Sequence, residues 1–325
     1  MADDQKLIKE ISKYSDQIGG FAGKYSSYNK FFRTDFVASC DGVGTKILLA
    51  QIARSYFSRP LQSIGIDCVA MVVNDLLCKG AMPRFFLDYF AADSLREHEF
   101  YEVLAGIQDG CEECEMELLG GETAELNGLI SYGTFDVCGF GVGNIADGQE
   151  LPKDNIKIGD SVVGLESSGF HSNGFTIIRQ HTTKDRFNDT RQVPPVDFEW
   201  LSFLLEPTKI YVNDILKIRE IGSGMWNEEE EIEIKALAHI TGGGFKNVDR
   251  VLPNNLKVKY EREDVFYSHH QLFQWIQTKA EMTMEEMRNT FNCGIGMVMI
   301  LSPEDAKRLP VDTIPLGRID NNYED

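Results

Sequence analysis

The stretch Phe36-Val37-Ala38-Ser39-Cys40-Asp41-Gly42-Val43-Gly44-Thr45-Lys46 changes pattern at its centre. Phe36 to Cys40 read as a short strand, and past Lys46 the spacing of Ile47, Leu48 and Ile52 is that of a helix. Between the two, a carboxylate is followed by two glycines, a threonine and a lysine. Glycines let the backbone approach an anion, the helix that follows offers unpaired N–H groups, and Lys46 supplies positive charge; together these suit a nucleotide phosphate. The P-loop spacing G-x-x-x-x-G-K-[ST] is absent, so a tight turn is the plain alternative. Asp41 at the strand end favours a ligand, since a carboxylate beside a phosphate loop is a usual way to hold Mg2+.

Outward from this junction the periodicity continues. Ile66, Val69, Ala70, Val73, Leu76 and Leu77 recur at i, i+3, i+4 intervals and predict a helix over 65–80 with a wide apolar stripe. A strand over 84–92, a long helix over 95–116, a short strand over 117–119 running into a Gly120-Gly121 loop, and a strand over 134–145 complete a first unit. Upstream, 6–18 shows weak helical spacing and 18–23 is glycine-rich. The run 147–160, with Gly148, Pro152, Asp154, Asn155 and Gly159, is the linker candidate and divides the chain into domains at 1–148 and 149–325. Beyond it the pattern predicts a strand over 161–165 and a helix over 172–181. Helical signals follow over 200–219 and 245–251, with the acidic run 227–231 between them, and strands over 256–260 and 294–301.

A length of 325 residues fits about two domains. With 42% hydrophobic and 26% charged residues, disordered and low-complexity classes are excluded. Lys+Arg 32 against Asp+Glu 51 leaves a net charge of −19, which opposes nucleic acid and anionic membrane as partners. Seven cysteines, an odd number, do not suggest a secreted disulfide framework. The acidic start lacks an apolar signal-peptide core, and no apolar run approaches the ~18 residues of a membrane span. A cytoplasmic protein is the expectation.

Asp67 and Asn74 lie seven residues apart, about two helical turns, and so share nearly one face. The Asn74-Asp75 pair lies within an apolar helix, where an uncompensated carboxylate is costly. With Asp41 and Glu122 added, a Mg2+ cluster is the better reading; an N-cap at Asp67 and a polar edge at Asp75 form the alternative. Glu122 belongs to Leu119-Gly120-Gly121-Glu122-Thr123-Ala124-Glu125, where helix capping by a solvated loop competes with metal binding. Cys111 and Cys114 have C-x-x-C spacing without a second pair or a suitably placed His, so core or surface thiols are favoured over zinc. In Ser167-Ser168-Gly169-Phe170-His171-Ser172-Asn173-Gly174, His171 is a candidate donor to phosphate and Ser172 or Asn173 a candidate N-cap. A Ser/His hydrolase is disfavoured, because the G-x-S-x-G elbow is missing. His239-Ile240-Thr241-Gly242-Gly243-Gly244-Phe245 opens another helix and suits phosphate, while Asn292-Cys293 reads as an Asx turn or a site wall.

The order and wording of these loops resemble the phosphoribosylformylglycinamidine cyclo-ligase family, the aminoimidazole ribonucleotide synthetases. The resemblance rests on DGVGTK at 41–46, GIDCVAMVVNDLL at 65–77, FFLDYF at 85–90, LLGGETAE at 118–125, SSGFHSNGF at 167–175, HITGGG at 239–244 and TFNCGIGM at 290–297. It implies an α/β (α+β) fold of two domains, an N-terminal strand-rich dimerising domain and a C-terminal α/β domain, with the site between them. It also implies ATP-dependent cyclisation of formylglycinamidine ribonucleotide to aminoimidazole ribonucleotide, ADP and phosphate. ATP phosphorylates the formyl-derived amide oxygen, and the substrate's own amine displaces phosphate to close the imidazole, a reaction that asks mainly for positioning and charge neutralisation.

By motif, the resemblance assigns Asp41, Asp75 and Glu122 to Mg2+, and Asp41, Gly42, Val43, Gly44, Thr45, Lys46 and Asn74 to the nucleotide. His171, Asp75 and Lys46 are the implied catalytic residues, and Ser168, Asn173, Thr241, Gly242 and Gly243 the implied substrate contacts. The partners implied are two small-molecule substrates and a second copy of the chain. Two departures stand out. The family's Tyr-x-x-Ala-Gly-Val-Asp pattern has no counterpart before Ile18, and Leu126-Asn127-Gly128 replaces the usual Met-Pro after Glu125. The first raises the alternative of a non-catalytic nucleotide-binding paralogue; another ATP-dependent phosphoryl transferase of the same superfamily is the second alternative.

Overall fold

The computed structural model describes residues 21–28, 33–146, 149–151, 153–182, 198–222, 232–261 and 270–322. The expected helix over 6–18, the first half (18–20) of the glycine-rich stretch 18–23 and the acidic run 227–231 lie outside the described residues. Within the linker candidate, Asp147, Gly148 and Pro152 also lie outside them; Lys153–Asn155 form a single 3-10 turn.

The first half builds β1 (Gly23–Tyr28), β2 (Arg33–Gly42), helices α1 (Lys46–Phe57) and α2 (Gln62–Leu77), β3 (Met82–Ala92), α3 (Glu97–Glu113), β4 (Glu117–Glu125) and β5 (Phe135–Ile145). Its strands form one sheet in the order β1-β2-β5-β3-β4, antiparallel except for the β3–β4 pair. Strand alternation decides the two faces. Val37, Phe86, Phe90 and Val137 are buried, whereas Phe36, Tyr89 and Phe140 on the opposite face stay about 40% exposed. Among the described residues, the helices cover only the first face, and the second presents an open, aromatic-rich surface.

Helix α2 is the spine of the molecule. Thirteen of its sixteen residues are buried, among them Val69, Val72, Val73, Leu76 and Leu77, each such aliphatic contributing about 1.5–3 kcal/mol of transfer free energy. It packs closely on α3 because Gly106 brings the backbones together: a Cβ there would lie 1.8 Å from the Gln62 carbonyl oxygen.

The second half comprises β6 (Ser161–Glu166), α4 (Phe175–Thr182), α5 (Phe198–Leu204), α6 (Val212–Gly222), β7 (Ile234–His239), a 3-10 helix Gly244–Val251, β8 (Leu256–Tyr260), α7 (His270–Lys279), α8 (Met284–Thr290), β9 (Ile295–Leu301), α9 (Pro303–Ala306) and β10 (Ile314–Asn321). Its sheet is antiparallel, in the order β7-β9-β6-β10-β8. Every residue of β7 and β9 is buried; β9 is an unbroken apolar run, while β7 also carries Lys235, paired with Asp160, and His239. The helical signal over 200–219 resolves into two helices, interrupted where Pro207 removes a backbone donor. Apolar side chains of both halves belong to one continuous core.

Two expectations about local structure are corrected. Gly120-Gly121 is not a loop, because β4 runs through both residues to Glu125. Asp67 is not an N-cap, because α2 starts five residues earlier, at Gln62.

Candidate functional site

Asp41 ends β2 with its carboxylate turned back on the chain, Oδ1 accepting the Gly42 N–H at 2.8 Å. Val43 is buried, while Gly44, at φ 71°, and Thr45 are exposed in front of the first turn of α1. The strand, glycine turn and helix N-terminus expected from the sequence are therefore present, with backbone accessible at Gly44 and Thr45. Across the domain junction, Thr45 Oγ1 lies 3.4 Å from Thr176 Oγ1 on α4.

Lys46 does not serve this loop. Its ammonium is fully buried, 2.8 Å from Asp67 Oδ2 and 2.7 Å from the Glu206 carbonyl oxygen. Asp67 Oδ1 accepts in addition from Thr208 N at 2.7 Å and Thr208 Oγ1 at 2.6 Å. Burial pulls the Lys46 ammonium below its ordinary pKa, against the opposing effect of Asp67. The expected phosphate-facing charge at Lys46, and with it a place for Asp67 beside the metal, gives way to an ion pair that joins the two halves.

Asn74 is corrected in the same way. Its Nδ2 donates to the Lys209 carbonyl oxygen at 2.9 Å and its Oδ1 accepts from Tyr211 N at 3.1 Å. The seven-residue spacing did put Asp67 and Asn74 on one face of α2, but that face grips the 206–211 segment and leaves Asn74 no free polar atom for a nucleotide.

Asp75, one residue on, points elsewhere. Its Oδ1 meets His239 Nδ1 at 2.9 Å, where β7 of the second half ends. Asp41 is close enough to feel both groups: burial first, then the neighbouring Asp75, raises its pKa, with His239 acting in the opposite sense. Two neighbouring carboxylates, one of them desolvated by burial, are a donor set that a divalent cation would relieve.

Glu122 does not join them. The parallel register pairs it with Tyr89 on the open face, while Gly121 pairs with Asp88 on the helix-covered face. Its Oε1 accepts the adjacent Thr123 N–H at 2.9 Å. Among the described residues, no three His, Cys, Asp or Glu side chains gather as a metal site. Asp88 instead sits in the row that crosses the sheet from Asp41 through Gly139, with its pKa raised by burial. A Cβ at Gly121 would stand 2.4 Å from Asp88 Oδ1, a close approach that demands the glycine.

The loop over 167–174 is largely a structural joint. His171 is fully buried at φ 58°, and its Nε2 accepts from Ser168 N at 3.2 Å and Lys209 N at 3.5 Å. Nε2, accepting two backbone N–H groups, anchors the loop and is not itself a donor to phosphate; the ring proton then sits on Nδ1, which is also buried. Ser168 Oγ is spent on the Pro207 carbonyl oxygen. Asn173 behaves differently: its Nδ2 is buried without a hydrogen-bond partner, and Oδ1 lies 3.5 Å from where a Cβ at Gly242 would be. Thr241, Gly242 and Gly243 border it, with Gly243 at φ 94° and open space around its Cα. Gly244 serves packing, since a Cβ there would meet the Arg288 carbonyl oxygen at 1.8 Å. Asn292 resolves as an Asx turn, Oδ1 accepting Gly294 N at 2.8 Å. Cys111 and Cys114 are core thiols, and burial pushes Cys111 up to about 12.

The residues brought together are thus Asp41, Asp75 and His239 at the junction of the halves, with Gly44–Thr45 and Thr241–Gly243 close by in the chain and Asn173 beside Gly242. His239 stood inside a recognised motif. Thr208 and the backbone of 206–211 carried no sequence signal at all, because their role depends on a helix about 140 residues earlier.

The family models described as AIR synthase related protein, N-terminal domain, and AIR synthase related protein, C-terminal domain, match residues 30–145 and 157–310. The chain is 39% identical over 305 residues to the chloroplastic/mitochondrial phosphoribosylformylglycinamidine cyclo-ligase of Vigna unguiculata, covering 94% of this chain and 73% of that protein. It is 38% identical over 311 residues to phosphoribosylformylglycinamidine cyclo-ligase of Thermoanaerobacter sp. (strain X514), covering 93% and 87%. Among solved structures it resembles AaThiL complexed with AMPPCP and TMP, with a TM-score of 0.65 at 14% identity over 97% of this chain and 89% of that one. It also resembles a chain of the HypE-HypF complex, with a TM-score of 0.64 at 16% identity over 97% and 93%. The likeness to solved structures concerns the fold.

Proposed function

The chain belongs to the AIR synthase related family and, within it, to the phosphoribosylformylglycinamidine cyclo-ligases, and from that membership we infer an ATP-dependent ligase of purine biosynthesis. It cyclises formylglycinamidine ribonucleotide to aminoimidazole ribonucleotide, releasing ADP and phosphate. The likeness to cyclo-ligases along nearly the whole chain is the observation that carries this reading. Incubating the purified protein with formylglycinamidine ribonucleotide, ATP and Mg2+ should yield aminoimidazole ribonucleotide and ADP in equal amounts; no product with any divalent cation overturns it.

Residue roles follow the geometry. The exposed backbone of Gly44 and Thr45, ahead of α1, receives nucleotide phosphate. Asp41 and Asp75 hold Mg2+, a cation commonly bound by one or two carboxylates together with substrate phosphates and water. When bound, the cation neutralises charge on the transferring phosphoryl group. Asn173, with its unsatisfied Nδ2, and the Thr241–Gly243 turn orient the ribonucleotide. His239 holds the Asp75 carboxylate in place. Glu122 keeps a metal role only if a second copy covers the open sheet face.

Asp75→Asn separates charge from shape, because Asn still offers an oxygen to His239 Nδ1. Turnover at saturating substrate should fall on the order of 10²-fold while the melting temperature moves little; unchanged turnover excludes the metal role. All seven cysteines are free thiols. Among the described residues, no helix is long and apolar enough to cross a membrane.

A further inference from the structure

In a chain of net charge −19, three cations converge on one small cavity. Lys79 comes from just beyond α2, Lys153 from the short 3-10 turn within the linker, and Arg250 from the 3-10 helix of the second half. The cavity has a volume of about 60 Å³, and Phe21, Cys78 and Leu151 line it beside them. Among the described residues, no carboxylate is part of its lining. The Lys79 ammonium makes no hydrogen bond or ion pair among the described residues, and the Lys153 ammonium donates to the Arg250 carbonyl oxygen at 2.5 Å. Arg250 is held in orientation: its guanidinium lies 4.0 Å above the Phe21 ring, and Nη1 donates to Asn247 Oδ1 at 2.9 Å.

Three like charges around a partly enclosed space repel one another, and no described carboxylate lines the cavity beside them. Burial, followed by the nearby Lys153, holds the Lys79 ammonium below its ordinary pKa. An anion in the cavity would reverse that penalty. Size and charge narrow the choice. A space of about 10–15 Å³ admits one water, so this cavity accepts a group of about four or five heavy atoms, and three cations match a doubly charged one. Arg contributes a fork suited to two oxygens and Lys a point charge.

We propose that Lys79, Lys153 and Arg250 form a binding site for a phosphate group, distinct from the Gly44–Thr45 and Thr241–Gly243 turns. Its ligand is a phosphate monoester dianion or free orthophosphate. The site stands independently of turnover, so its test uses binding alone.

Isothermal titration of the full chain in low-salt, phosphate-free buffer, with ribose 5-phosphate in one arm and orthophosphate in the other, reads it directly. Saturable binding is expected in at least one arm. It should weaken at least tenfold in the Lys79→Gln/Lys153→Gln variant, and with rising ionic strength in the wild type. Binding of ribose 5-phosphate alone identifies a monoester site; equal binding in both arms identifies a site for the phosphate group itself. Should the double variant unfold, Lys79→Gln alone carries the test, its ammonium having no hydrogen bond or ion pair to lose among the described residues. No binding in either arm, or equal binding by wild type and variant, overturns the proposal.

Discussion

The Lys46–Asp67 pair shows what one charged residue can be used for when water is removed. An ammonium and a carboxylate each lose several kcal/mol on burial, and only close geometry with further hydrogen bonds returns it. Here the geometry is complete, with Glu206 and Thr208 supplying the additional partners. Lys46→Met leaves Asp67 buried and short of its counter-charge, and should destabilise the fold by about 3–5 kcal/mol, seen as a lower urea midpoint with an unchanged slope. A shift of less than about 1 kcal/mol would mean the pair is replaceable. Asp93 offers a pH-dependent counterpart. Arg96 grips both its oxygens, at 3.0 and 3.3 Å, and holds its pKa at about 2, below the 3.8 of the free group. A carboxyl depressed by folding adds stability that is complete above the unfolded value and lost as pH falls through the folded one. The melting-temperature gap between wild type and Asp93→Asn should accordingly be constant above about pH 5, shrink from about pH 4 downward and close below about pH 2; a gap at pH 2 as large as that at pH 7 rules this out.

At the scale of elements, α2 and the turn before α1 were legible because their periodicity is local. The stripe of Ile66, Val69, Val73 and Leu77 fixes a helix whatever it packs on. The partners of its polar residues were not legible, since Asp67 and Asn74 look alike as metal ligands or as clamps until the 206–211 segment is laid against them. β4 was misread for a different reason. An edge strand exposed on both sides shows no alternation, and its two glycines imitate a loop. Glycine substitutions separate packing from ligand approach. Gly106→Ala drives a methyl into the Gln62 carbonyl and should cost about 1–3 kcal/mol, measured by thermal unfolding. Gly42→Ala meets only the Val137 carbonyl oxygen at 3.5 Å. Its stability should therefore be unchanged while ATP affinity falls at least tenfold; equal affinity would exclude a ligand from Gly42.

For the whole molecule, the open face of the first sheet is the feature that a monomer explains least. Tyr25, Phe36, Tyr89 and Phe140 stand exposed together on strands that pair across it, a surface suited to a second copy. We expect a homodimer through this face, converted to monomer by Phe140→Glu in sedimentation equilibrium. Because each copy carries −19, added salt should tighten the association; a wild type that stays monomeric at high protein and salt concentration counts against it. The clamp from α2 onto the 206–211 segment has a consequence during synthesis. Asp67 leaves the ribosome 141 residues ahead of Thr208, an interval on the order of ten seconds at ordinary elongation rates. Through that interval the nascent first half carries a helix whose polar face has nothing to hold, and its dependence on chaperones should be greatest then, ending when the strap arrives.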